Sequence, residues 1–150
     1  MQNLTTNPAF AVYCLAAVAL SLNLFFLWSY SGAARGKTKT TPNTEDAGTV
    51  AKGAQVVEVD PPAVARVLRA HKNAMANIVP TMMLGLLYVM LGASTQMAWI
   101  LFGGFTVLRY AHSLAYLNEK QPWRTISFVV GGLFTLALMV QVTRGAIALL

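Results

Sequence analysis

The sequence predicts an all-α integral membrane protein, a single domain built as a four-helix bundle. Hydrophobic residues make up 56% of its 150 residues, charged residues only 11%, and the mean hydropathy is +0.55. A soluble domain carries about 25% charged residues. Four apolar runs are each long enough to cross a hydrocarbon layer of about 30 Å, since a helix rises about 1.5 Å per residue. We place the helices at 8–30, 61–91, 95–117 and 122–147.

The first run, 8–30, contains no charged residue. A signal peptide is the competing interpretation, but it needs a basic segment before the apolar run, and the residues before this run carry no charge. We therefore expect a transmembrane helix in which Ser21 and Asn23 make contacts between helices. Cys14, the only cysteine, excludes an intramolecular disulfide.

The segment 31–60 is rich in Gly, Thr, Lys, Asp and Glu and shows little periodicity. This composition predicts a loop rather than a fifth span. Glu45 and Asp46 are candidates to pair with the basic helix that follows, although most loop carboxylates are simply solvated.

The second helix is expected to begin with Asp60 as its cap and Pro61 at the first helical position. Its first turns carry a polar stripe at the spacing i, i+3 and i+7, with a lysine beside it. These residues are Arg66, Arg69, Asn73 and Lys72. Because the residues from 74 to 94 are uncharged, the helix enters the membrane with its basic end at the surface.

The third helix, 95–117, is interrupted by Arg109 and His112, which share one face with Tyr116 because the three are spaced i, i+3 and i+7. A polar loop at 118–121 precedes the fourth helix, which begins at Pro122 and carries Arg124 in its first turn. The glycine pairs 103–104 and 131–132 permit close approach of helices.

Basic residues set the expected orientation. The segment 31–73 and the loop that ends at Arg124 hold most of the eleven Lys and Arg residues, so the loops 31–60 and 118–121 are expected to be cytoplasmic. Both termini then face outward, although Arg144 argues mildly for the opposite topology. We expect this membrane to be a bacterial inner membrane or the endoplasmic reticulum. Nucleic acid is not an expected partner, because some of the basic residues lie within or beside apolar helices rather than in a solvated tract.

This topology brings the basic ends of three helices to the same membrane depth. The residues concerned are Arg66, Arg69, Lys72, Asn73, Arg109, His112, Tyr116 and Arg124. Taken singly, such arginines often anchor a helix to lipid headgroups, but charged residues in spans usually face a bundle interior or a wet cavity. Together they predict a pocket for a small polyanionic ligand, with the lipid supplying an apolar second substrate. The sequence contains no paired-carboxylate site, no Cys/His metal cluster and no Gly-rich phosphate loop.

Three segments resemble the family of membrane-associated proteins in eicosanoid and glutathione metabolism, MAPEG, with particular similarity to its microsomal prostaglandin E synthase branch. They are RVLRAHKNAMANIVP at 66–80, RYAHSLAYL at 109–117 and PWRTISF at 122–128. The likeness extends over nearly the whole chain. It implies a homotrimer of four-helix subunits that binds glutathione between neighbouring subunits near the cytoplasmic side.

The resemblance also implies which residues form the site. Those matching glutathione-binding positions are Arg35, Arg69, Lys72, Asn73, His112, Tyr116 and Arg124. Arg124 is the implied activator, because a guanidinium beside the sulfur stabilises a thiolate and lowers a thiol pKa that is otherwise about 8.5. Asp46 matches an acidic residue that can pair with this arginine, and Thr125 keeps the hydroxyl of a family serine.

The chain departs from the family pattern at several positions. Ala76 stands where relatives carry a glutamate suited to the amine of glutathione, Lys72 replaces an arginine, and Phe128 replaces a tyrosine. The resemblance implies a glutathione-dependent transferase, isomerase or peroxidase that acts on a lipophilic electrophile or a lipid hydroperoxide. The alternative is a non-catalytic membrane scaffold or lipid-binding protein that retains the fold.

Overall fold

The computed structural model describes residues 6–150, so the first residues of the uncharged amino terminus, expected to face outward, lie outside the described part. Within it, helices form most of the chain. They are α1 (Pro8–Thr38), α2 (Thr44–Gly48), α3 (Pro62–Met90), α4 (Thr95–Ala98), a π-helical segment (Trp99–Gly103), α5 (Gly104–Leu117) and α6 (Trp123–Ile147). Two short strands, β1 (Thr40–Thr41) and β2 (Gln55–Val56), pair in parallel with Thr40 opposite Gln55.

In residues 6–150, three helices are long and apolar enough to cross a membrane by length and composition, namely α1, α3 and α6. The remaining predicted span, 95–117, is divided among α4, the π-helical segment and α5, which follow one another without a break. Its longest piece, α5, has only 14 residues. Length and composition therefore support a mostly helical membrane protein with three candidate spans.

Helix α1 begins where expected and ends later than expected. The Asn7 side chain caps it by accepting a hydrogen bond from the Ala9 amide at 2.9 Å. The helix then continues past residue 30, where the loop was predicted to begin, as far as Thr38. Small residues in this extra stretch pack on α3: Ala34 is buried in one cluster with Val64 and Val67. Packing thus extends the helix into a segment whose composition indicates a loop.

The beginning of α3 corrects the predicted cap. Pro61 occupies the cap position and Pro62 the first helical position, and no side chain caps the helix. The Asp60 carboxylate instead lies 2.6 Å from Arg35 Nη1, at the end of α1. A guanidinium is a stronger partner for a carboxylate than a neutral amide is. This ion pair ties together the two ends of the 39–60 connection, which also contains β1, α2 and β2.

Helices α1, α3, α5 and α6 pack together through apolar surfaces and a few buried polar contacts. α1 packs chiefly on α3, and α5 on α6. Ser113 Oγ donates to Asn23 Oδ1 at 3.0 Å, which confirms the interhelical contact predicted for Asn23. The hydroxyls of Thr81 and Thr135 lie 2.9 Å apart between α3 and α6.

Gly104 provides a test of the packing between α5 and α6. A Cβ atom at this position would lie 2.5 Å from Phe134 Cε1, whereas one at Gly103 would meet nothing closer than 3.8 Å. We expect Gly104→Ala to destabilise the protein by about 1 to 3 kcal/mol through overpacking, and Gly103→Ala to leave it nearly unchanged. Thermal unfolding of the two variants in detergent checks this. Equal unfolding temperatures would show that Phe134 is free to move aside.

Candidate functional site

The structure brings the polar residues of α3 and α5 and the first turns of α6 to one end of the helices, which we call the basic end. α3 and α6 begin there, and α1 and α5 end there. Direct contacts join the three helices at this end. They involve Asn73 with Arg109, His112 with Arg124, and Tyr116 with Arg124.

Arg109 lies at the centre of the basic end and is 1% exposed. Its Nη1 donates to Asn73 Oδ1 at 3.5 Å and its Nη2 donates to the Ser127 carbonyl at 3.3 Å. The guanidinium also lies over the rings of Phe105 and Phe128, at 5.6 and 5.9 Å from their centroids. Because the Asn73 oxygen faces Arg109, its amide nitrogen remains available as a donor to a ligand.

Gly131 makes room for this buried cation. A Cβ atom there would lie 2.8 Å from Arg109 Nη2. The pair 131–132 is predicted to permit close approach of helices, but at Gly131 the space is instead taken by the Arg109 guanidinium of α5.

His112 is buried, and its Nδ1 lies 3.0 Å from the Arg124 carbonyl oxygen. A carbonyl only accepts, so Nδ1 carries the hydrogen in this contact. Nε2 is buried and has no hydrogen-bond partner among residues 6–150. The ring meets Tyr116 edge-on, with centroids 5.7 Å apart, and lies 5.9 Å from the ring of Phe128. These contacts confirm that His112 and Tyr116 share a face.

Arg124 is half-buried in the first turn of α6, and two neighbours hold it. Its Cζ lies 4.9 Å from the centroid of the Tyr116 ring, a cation–π distance. With the Gln121 amide oriented to satisfy both of its ends, its oxygen accepts from Arg124 Nη2 at 2.7 Å and Nε at 3.2 Å, and its nitrogen donates to Thr125 Oγ1 at 3.1 Å. These contacts leave Nη1 of Arg124 without a hydrogen-bond partner in the described part of the chain.

Arg69 and Lys72 are exposed on α3, and neither forms an ion pair within residues 6–150. Arg66 differs, because its Nη2 lies 2.9 Å from Glu119 Oε1. We call the following residues the helix half of the site: Arg69, Lys72, Asn73, His112, Tyr116, Arg124 and Thr125.

Arg35 and Asp46 lie elsewhere, in a pocket of about 620 Å³ between the end of α1 and the 39–60 connection. The same pocket is lined by Lys39 and Lys52 but by no residue of the helix half. We call these four residues the loop half. Asp46 Oδ2 accepts from Asn43 Nδ2 at 2.9 Å. Asp46 makes no ion pair with Arg124 within one chain, as far as the described residues show, so the predicted pairing is not formed there.

The sequence patterns did not identify two residues that organise the site. Ser127 offers its carbonyl to Arg109, and its Oγ donates to the Trp123 carbonyl at 2.7 Å. Gln121 precedes α6 and holds the Arg124 side chain. The only sequence signal is their spacing from Arg124, three residues on either side, which places Ser127 on the same side of the helix.

Comparison of the sequence with known proteins identifies its family. The MAPEG family model matches residues 13–144. The chain is 33% identical over 138 residues to prostaglandin E synthase from Homo sapiens, covering 91% of this chain and 90% of that protein. It is 32% identical over 152 residues to microsomal glutathione S-transferase 1 from Rattus norvegicus, covering 99% and 98%. The prostaglandin E synthase of Rattus norvegicus is 35% identical over 122 residues, 81% of this chain and 76% of that protein.

Proposed function

The chain belongs to the MAPEG family, and from that premise we propose that it is a glutathione-dependent membrane enzyme. It acts as a transferase, isomerase or peroxidase on a lipophilic electrophile or a lipid hydroperoxide. Relatives named glutathione S-transferase and prostaglandin E synthase support this class of activity. The observation that carries the proposal is the Arg124 guanidinium, which Gln121 and Tyr116 hold in place while its Nη1 keeps no partner among the described residues.

The basic end fits the anionic groups of glutathione. This tripeptide presents two carboxylates and a thiol, and the helix half presents Arg69, Lys72 and Arg124 together with the Asn73 amide nitrogen. Charge-assisted hydrogen bonds to carboxylates are the stronger kind. We infer that Arg69, Lys72 and Asn73 hold the carboxylates and that Arg124 faces the sulfur.

Bound glutathione supplies a nucleophilic thiolate. Arg124 favours the negative charge on sulfur over the neutral thiol, because a nearby cation stabilises the ionised form. Thr125 and Gln121 keep the guanidinium in that place. An apolar groove of about 530 Å³ between α3 and α6, lined by Phe128, Leu133 and others, faces outward beside the basic end. It gives a lipophilic second substrate a route from the bilayer.

We propose that the protein assembles as a homotrimer and that each site is completed by two chains. The helix half and the loop half occupy separate surfaces of one chain, and Arg69 and Lys72 point out of it unpaired among the described residues. In this arrangement Arg35 and Asp46 of one subunit approach Arg124 of its neighbour. Closed rings of identical subunits make such interfaces equivalent.

The oligomeric state tests this arrangement. Native mass measurement and crosslinking in mild detergent are expected to give a trimer. If the protein is only monomeric under conditions where it binds glutathione, the binding site does not lie between subunits.

The proposed topology has four spans, with the unbroken helical path of 95–117 as the third. The basic end is cytoplasmic and the termini face outward, in a bacterial inner membrane or the endoplasmic reticulum. The excess of Lys and Arg at the basic end supports this orientation. Labelling of single cysteines placed at exposed Lys52 and Gln96 from each side of sealed vesicles tests it.

Removal of individual ligand contacts is expected to weaken binding without unfolding the protein. Arg69→Ala and Asn73→Ala each remove a charged or polar hydrogen bond worth about 1 to 3 kcal/mol, or about 5- to 150-fold in affinity. Isothermal titration with glutathione measures this, with the exposed Lys120→Ala as a matched control. Unchanged affinity in both variants would show that Arg69 and Asn73 do not bind glutathione and that they contact the membrane surface instead.

The second candidate is a non-catalytic membrane scaffold or lipid-binding protein. Two departures from the family pattern favour this candidate. Ala76 lacks the charge of a glutamate, and Phe128 lacks the hydroxyl of a tyrosine. This candidate predicts no thiol binding, so glutathione titration of the wild type separates the two functions.

A further inference from the structure

Negative side chains are distributed unevenly over this protein. Helices α3, α5 and α6, which carry the helix half, contain no Asp or Glu at all. The five acidic residues all lie in connections between the long helices: Glu45, Asp46, Glu58, Asp60 and Glu119. The helix half therefore has cations and neutral groups, and no carboxylate of its own.

The acids nearest the site are already engaged. Glu119 Oε1 lies 2.9 Å from Arg66 Nη2, and Asp60 Oδ1 lies 2.6 Å from Arg35 Nη1. Glu45 and Glu58 are exposed, and neither lines the pocket of the loop half. This leaves Asp46, which accepts hydrogen bonds from Asn43 Nδ2 at 2.9 Å and Thr41 Oγ1 at 3.4 Å.

Bringing the two halves together does not correct the imbalance. The loop half adds Lys39 and Lys52 against the carboxylate of Asp46, and its third cation, Arg35, is paired with Asp60. The helix half adds the cations Arg69, Lys72 and Arg124, with Arg109 buried behind them. Like charges repel, so the cations of both halves disfavour an ammonium group on a bound ligand.

Ala76 lies beside the helix half and contributes no charge to it. It lies three residues after Asn73 and four after Lys72, on the same face of α3. Its side chain is an exposed methyl group that lines the apolar groove together with Phe128. A methyl group offers neither a negative charge nor a hydrogen-bond acceptor to an amine.

We propose that this site recognises its thiol through the carboxylates and the sulfur and makes no use of an α-ammonium group. Anionic thiols that lack a free amine are therefore cosubstrates of the same site. This inference rests on the proposed function and narrows it: the substrate class is a thiol with two or more negative charges, of which glutathione is one member.

The test compares two ligands on the full-length protein in its oligomeric form. One is glutathione and the other is glutaryl-cysteinyl-glycine, which is glutathione without its amine and adds no bulk. Isothermal titration is expected to give affinities within about threefold of each other, or tighter binding of the amine-free thiol, since no charge-assisted hydrogen bond is lost. A loss of tenfold or more on removing the amine would overturn the inference and leave the proposed function standing. If neither ligand binds, the proposed function itself fails, and this inference with it.

Two matched variants sharpen the comparison. Ala76→Glu places a carboxylate beside Asn73 and is expected to make glutathione bind at least about tenfold more tightly than the amine-free thiol. Ala63→Glu adds the same charge on an exposed position in the first turn of α3 and is expected to leave the ratio unchanged. Equal shifts in both variants would indicate a general charge effect and count against Ala76 as the position that selects the ligand. The wild-type comparison remains decisive if Ala76→Glu fails to assemble.

Discussion

Replacing Arg124 with alanine is expected to lower the rate with a soluble test electrophile by about 10- to 150-fold, the kinetic equivalent of losing a charge-assisted hydrogen bond of about 1.5 to 3 kcal/mol. Glutathione affinity is expected to change much less, because in the proposed site Arg69, Lys72 and Asn73 hold the carboxylates. The comparison needs saturating glutathione and folded, oligomeric protein. A defect confined to KM would instead place Arg124 among the groups that hold the ligand.

The pH dependence identifies the physical origin of the loss. A guanidinium beside sulfur holds the pKa of the bound thiol below its usual value of about 8.5, so removing it lets this pKa rise. The thiolate fraction at neutral pH then falls, and the rising limb of the pH–rate profile moves to higher pH. Ultraviolet absorbance of the bound thiolate reports the same change without turnover.

Variants around Arg124 separate charge from geometry. Arg124→Lys is expected to restore part of the rate, since it returns the charge but not the planar fork. Asp46→Asn is expected to give a weaker form of the defect if that acid orients the guanidinium from a neighbouring chain. Wild-type thiolate absorbance and turnover in Arg124→Ala would show that another group activates the thiol.

Mixed oligomers are expected to recover activity that each parent lacks. Arg124→Ala removes the proposed activating group from the helix half, and Arg35→Ala removes a cation of the loop half. If each site of a trimer takes its halves from two subunits, about one site in three contains two intact halves in the trimers that carry both variants. Coexpression of the two variants with different affinity tags, followed by tandem purification and assay, measures the recovery.

Two controls accompany that experiment. Oligomers of the Arg124→Ala, Arg35→Ala double variant are expected to stay inactive after the same treatment. Asp60→Asn breaks the 2.6 Å ion pair with Arg35 but keeps the guanidinium, so it reveals how far the loop depends on that pair. Activity in mixed oligomers no higher than the average of the parents would mean that each chain contains its own complete site.

The parts of the structure that depend on helix geometry were predictable from sequence. The contact between His112 and Tyr116 follows from a spacing of four residues, because such positions lie on one face. The contact of Asn23 with Ser113 follows from the cost of leaving a polar group unpaired among apolar helices.

Other parts depend on contacts between distant residues, and no local pattern encodes these. Asp60 reads as a helix cap but pairs with Arg35, which is 25 positions away in sequence. Helix α1 continues to Thr38 because Ala34 packs on α3. The π-helical segment that divides 95–117 has no signal in hydropathy. Gln121 could not be identified as a partner of Arg124 without the side-chain positions.

All of these proposals require an anionic thiol that binds between two subunits with its sulfur beside Arg124. An experimental structure of the oligomer with saturating glutathione tests this requirement most directly. We expect density for the tripeptide between neighbouring chains, with the sulfur next to Arg124 of one chain and the ligand within reach of Arg35 of the next. Absence of such density, or a ligand bound entirely within one chain, would contradict this expectation.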